Sequence, residues 1–168
     1  MTTHAEQLCA DNNVSFAQPF RYQYVSSPEK LSLPSFNEVK CGEHWVGIGE
    51  ALRHAPLRDI NGVVFGICLG IAVDHDGDTA EEALSQRIDS QSSNALAVLE
   101  TYLETLAGRY ALITHLQGKT YFHCDPVGMI GAVYAPETGR VAASTFLCID
   151  RQPEWHPLYD RAENEAGG

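Results

Sequence analysis

Residues 63–73 read VVFGICLGIAV, an unbroken apolar run rich in β-branched side chains. A strand of this kind has no polar face to offer water, so it is buried on both sides. Counted from Gly62 the run is twelve residues long, short of the ~20 that a helix needs to span a bilayer. Gly66 and Gly70 within it have GxxxG spacing, which carries no weight without a spanning helix. The chain must therefore cover one central strand from two directions. Its 168 residues and 44% hydrophobic content suffice for that in one domain, with no disulfide or metal staple.

The flanking segments say what the cover consists of. Residues 1–19 are polar and read as a loosely held N-terminal arm. Residues 20–25 (FRYQYV) alternate aromatic and polar side chains, as a strand does. The prolines and serines of 26–34 predict a loop, and 44–52 (HWVGIGEAL) a short strand ending in a turn. Pro56 makes 53–62 irregular, and DHDGD at 74–78 is a turn. Thr79 with Glu82 three residues on is a capping box that opens a short helix carrying Leu84 and Ile88. Over 94–106, Leu96, Leu99, Leu103 and Leu106 recur at intervals of three and four, one apolar stripe on a second helix. Gly108 stands where a helix C-cap glycine belongs.

From Arg109 the period changes to two. Strands are predicted at 110–116 and 119–124, joined by a Gln117-Gly118 hairpin turn. Asp125-Pro126-Val127-Gly128 is a second turn, 129–135 and 140–144 are strands, and Thr145 caps a short helix to Ile149. The domain spans 20–150, and 151–168 form a proline-rich, then acidic tail. Early strands, two helices and an antiparallel meander make an α+β domain.

Eleven basic against twenty-two acidic residues give a formal charge of −11, the wrong sign for a protein that tracks a nucleic-acid backbone. No secretory pattern opens the sequence, and the five cysteines, Cys9, Cys41, Cys68, Cys124 and Cys148, include no CxxC pair. Reduced thiols and a cytoplasmic setting are expected, with no membrane contact. Cys68, Cys124 and Cys148 sit in strand-like contexts and read as small buried hydrophobes.

The common chemical motifs fail one by one. Gly118-Lys119-Thr120 lacks the first glycine of a phosphate-binding loop, and Gly47-Ile48-Gly49 lacks the third glycine of a dinucleotide fingerprint. Asp74, Asp76 and Asp78 match the first EF-hand ligands, but Thr79 and Ser85 stand where glycine and glutamate are required. The seven histidines make no zinc pattern, so neither a metal nor a cofactor is expected. His115 and His123 are placed to face one another across the hairpin, or else to face solvent.

The segment 106–146 resembles the back half of the glutaminase domain of asparagine synthetases, which are class II glutamine amidotransferases of the N-terminal-nucleophile hydrolase fold. That family runs from a helix into an Asp-Gly-x-Phe-Ala strand, then a hairpin, then Arg-Asp-x-x-Gly-x-x-Pro-Leu-Tyr-Tyr, then a strand ending Ala-Ser-Glu. Here the corresponding residues are Ala107-Gly108-Arg109-Tyr110-Ala111, then Asp125 to Tyr134 with Gly128 in the turn, then Ala142-Ala143-Ser144-Thr145. The resemblance implies a four-layer α/β/β/α sandwich of antiparallel sheets.

It does not bring the chemistry with it. The family's nucleophile is a cysteine directly after the initiator methionine, activated by its own α-amino group. Thr2 stands there in this sequence, followed by a polar stretch. Ala107 replaces the aspartate that holds the substrate amino group. Asn61-Gly62 is followed by Val63-Val64-Phe65 in place of the family's oxyanion segment. Cys41-Gly42 mimics the family's Cys-Gly start, but its use requires cleavage after Lys40. The ATP-binding Ser-Gly-Gly-x-Asp-Ser loop of the synthetase half does not occur.

Three readings stay open. The first is a noncatalytic amidotransferase-like scaffold or partner-binding module, as in β-lactam synthetases and lasso-peptide cyclases, serving a separately encoded synthetase. The second is a divergent amidohydrolase with Thr2, Cys9 or Cys41 as a processed nucleophile. The third is a homo-oligomeric small-molecule binder with a pocket of Tyr110, His115, His123 and Tyr134.

Overall fold

The computed structural model describes residues 3–150. In chain order the elements are α1 (His4–Asp11), α2 (Ala17–Phe20), β1 (Tyr24–Ser27), β2 (Phe36–Cys41), β3 (His44–Gly49), β4 (His54–Arg58) and β5 (Val64–Val73). Then come α3 (Ala80–Arg87), α4 (Ala95–Leu103), β6 (Ala107–Leu116), β7 (Lys119–Cys124), β8 (Val133–Ala135), β9 (Arg140–Ala142) and α5 (Thr145–Cys148). The strands form two antiparallel sheets, one ordered β2-β3-β1-β9-β8 and the other β4-β5-β6-β7.

The apolar run is the centre of the second sheet. Ile67 and Leu69 of β5, with Ala111 and Ile113 of β6, point at Tyr24, Val46 and Ile48 of the first sheet. The alternate residues Cys68 and Ala72 point the other way, into Leu84 and Ile88 of the α3 segment and Leu99 and Tyr102 of α4. The two sheets thus share one core, and helices cover the far side of the second sheet. A further cluster joins Ala5 and Cys9 of α1, and Leu147 and Cys148 of α5, to Val25 and Ala142 on the outer face of the first sheet. Leu99 is fully buried, and its truncation to alanine costs about 2–5 kcal/mol.

Several local expectations hold. The Thr79–Glu82 capping box opens α3. Gln117 and Gly118 have φ of 54° and 75°, the paired positive values of a two-residue hairpin turn. Asp125 caps its turn by accepting from the backbone N–H groups of Val127, Met129 and Ile130.

Others are corrected by tertiary context. The described part of the N-terminal arm is folded: Thr3 and Glu6 make a complete capping box for α1, and the helix buries Ala5 and Cys9. Residues 20–25 do not form one strand, because the chain turns after α2 and pairs with β3 only from Tyr24. Strand β2 lies where the residue pattern assigns no element. Residues 54–58 are a strand despite Pro56, because β4 is a sheet edge and can lack a donor. Gly108 is not a helix cap. It lies inside β6 opposite Ala72 at φ +128°, where a β-carbon would run into the Ile71 carbonyl. Only residues 133–135 of the expected 129–135 strand pair. The N-cap of α5 is Ser144, not Thr145, and its hydroxyl finds no partner among the described residues. Cys124 is exposed, not a core residue.

Candidate functional site

The edge strands β2 and β4 do not close over the inner face of the second sheet. The opening between them is a cleft of about 470 Å³. Its walls are apolar through Val39, Pro56, Val64 and Ile67, and polar through Lys40, Cys41, His54, Gln91 and His115. The register explains the apolar wall: Pro56 stands opposite Ile67, so both project to one side.

Cys41 ends β2 and lines this cleft. Its Sγ–H donates to the Ile113 carbonyl oxygen at 3.6 Å, and burial pushes the thiol up to about 11. A thiol in this state is protonated at neutral pH and is a poor nucleophile. Gly42 then turns the chain into β3 at φ +58°, and Cys41 pairs with His44 across the turn. A positive φ at the first central residue is what a type II′ hairpin asks of glycine.

Two histidines stand beside this hairpin. His44 Nδ1 lies 3.0 Å from Ser26 Oγ, and its ring meets Phe122 edge-on at 5.8 Å. Burial lowers the His44 pKa, and nearby His115 adds to that against the opposing pull of Glu43. His115 Nδ1 lies 3.2 Å from Thr120 Oγ1. Ser26 itself is fully buried, so the Ser26–His44 pair faces no substrate space and ties β1 to β3.

The remaining candidates are dispersed. Thr2 lies outside the described residues. Cys9 is in the α1–α5 cluster on the outer face of the first sheet, and Cys41 faces the core between the sheets. His115 and His123 do not face each other. His115 pairs with Thr120 and His123 with Leu112, an odd number of ladder positions away, so the two rings lie on opposite faces of the sheet. His123 stacks near Tyr121, at 6.4 Å between ring centroids, on the helix-covered side. Tyr110 is buried on that same side, and Tyr134 is 63% exposed on β8 of the other sheet. Of the four proposed pocket residues, only His115 lines the cleft.

The motif residues act on the backbone. Gly128 (φ +67°) closes the Asp125 turn by donating to the Asp125 carbonyl at 2.9 Å. Burial works to raise the Asp125 carboxyl, but the amides of Met129, Ile130 and Val127 outweigh it and hold the group below its usual range. Val39, His54, Pro56 and Val64 have no motif. They become a wall only because β2 of one sheet packs over the β4–β5 side of the other. Compared with family models, curated proteins and solved structures, the chain gives no match.

Proposed function

We propose that this chain is a noncatalytic, amidotransferase-like module with an N-terminal-nucleophile type of sandwich. In this reading it binds and supports a separately encoded ATP-dependent, amide-forming synthetase. The observation that carries the reading is the state of Cys41. The one cysteine in a Cys-Gly pair lies at a strand end and donates its Sγ–H to a backbone carbonyl, and burial pushes its thiol up to about 11. Support also comes from the layering: a shared core between two antiparallel sheets, with helices on the outer face of each. Exposed Val63 and Val64 give the cleft an apolar rim of the kind partners cover.

The test has two arms. The purified chain is incubated with glutamine, and ammonia release is followed beside the intact mass. It is also co-expressed with a synthetase that lacks such a domain and is encoded next to it. The expected result is no ammonia, and a stable complex in which synthetase activity depends on the chain. Ammonia release abolished by Cys41→Ala, or a synthetase indifferent to the chain, overturns the proposal.

A further inference from the structure

We propose that the cleft between the β2 and β4 edges is a binding site for a small linear aliphatic carboxylate. The inference goes beyond the scaffold role and stands whether or not a synthetase is served.

Three observations converge. The first is shape. His54 pairs with Leu69, and Leu69 with Ala111, which places His115 two strands across and four residues along. Strand geometry separates the two histidines by roughly 15 Å. A cleft of about 470 Å³ over that length is narrow and elongated, suited to an extended chain and not to a fused-ring ligand.

The second is the division of polarity along it. His115 and Gln91 stand at the end where Gly42 turns, while Val39, Pro56 and Ile67 form the stretch leading away from them. Hydrogen-bond donors thus stand at the Gly42 end, with His54 at the other end, and aliphatic side chains lie between.

The third is charge. In a chain with twenty-two acidic residues, none of the described residues lining the cleft is acidic. Asp59, which holds the lining residue Ser90, is already committed to Ser90 Oγ at 2.6 Å and to the amides of Asn61 and Val63. An anionic head therefore meets no carboxylate in the lining, where Lys40, His54 and His115 stand, whereas the acidic surface elsewhere disfavours it.

Octanoate, octan-1-ol and octylamine serve as probes, measured by calorimetry and by backbone amide shifts of the full chain. Octanoate is expected to bind one-to-one and about tenfold tighter than octan-1-ol, with octylamine weakest, as fits a charge-assisted contact. Shifts concentrate at residues 39–42, 63–67 and 115. His115→Ala and Gln91→Ala each erase the preference for octanoate over octan-1-ol while octan-1-ol binding persists. Val64→Asp, a change at a half-exposed residue, abolishes octanoate binding. Ile71→Asp, at an exposed apolar residue outside the cleft lining, changes nothing. Equal binding of the three probes, retention of octanoate by Val64→Asp, or its loss in Ile71→Asp overturns the proposal.

Discussion

The imidazole of His115 lies directly against Gly42, so that a β-carbon at position 42 would overlap the ring. This contact locks the β2–β3 hairpin of one sheet onto β6 of the other, and glycine is the residue that permits it. Gly42→Ala adds steric overlap to a left-handed φ of +58°, and the expected loss is about 2–4 kcal/mol. In the double variant with His115→Ala the overlap with the ring disappears while the Cβ of residue 115, 2.7 Å from the added methyl, remains, so the loss falls to about 1–3 kcal/mol from backbone strain and the residual contact. Urea denaturation of the four proteins in the cycle measures this. A purely additive cycle would show that the two residues do not press on one another.

Asp125 gives a second prediction, through acid stability. Its carboxylate accepts from Val127 and Met129 and, at 3.4 Å, from Ile130, so Asp125→Ala should cost about 2–4 kcal/mol. The folded pKa lies below the ordinary 3.8. Its contribution is therefore complete above that value and lost as pH falls through the folded one. Melting curves between pH 5 and pH 2 should fall more steeply for the wild type than for Asp125→Ala. Parallel curves would refute the role.

Thiol accessibility separates the cysteines. Cys124 is exposed, whereas Cys41 and Cys68 are buried, with thiols pushed up to about 11 and about 12. Brief iodoacetamide treatment of native protein, followed by peptide mass mapping, should label Cys124 first. Cys41 and Cys68 should react only on unfolding. Labelling of Cys41 as fast as Cys124 would count against the noncatalytic reading.

Two histidines set the behaviour at mildly acid pH. Burial lowers the pKa of His44, reinforced by His115, and burial also lowers that of His123, opposed by Glu100. Both groups start from 6.5, so the unfolded chain takes up protons first as pH drops below that value. Stability is then full above pH 6.5 and declines below it, towards the folded pKa values. His123→Phe, which keeps an aromatic ring on the helix-covered face, should flatten the decline in thermal midpoint between pH 7.5 and 5.5. An unchanged slope would rule out His123 as a contributor.

What the sequence alone determined is local or depends on a single element. The run at 63–73 had to be covered on both faces, since neither face carries a polar alternative, and β5 is so covered from Phe65 to Gly70, while Val63, Val64 and Ile71 stay exposed. The Thr79–Glu82 box, the Gln117-Gly118 hairpin and the Asp125 turn are each closed within a few residues, so their chemistry is readable from spacing. The tertiary structure decided which face each residue occupies. A shift of one residue in register inverts a strand's faces, and the β6–β7 register alone sends His115 to the cleft and His123 to the helices. It likewise decided that Pro56 could sit in an edge strand and that Gly108 belongs to a strand and not a helix end. Most of all it made the cleft, whose walls come from β2, β4, β5 and β6. No periodicity encodes it, because it exists only where the edges of two sheets are stacked without closing.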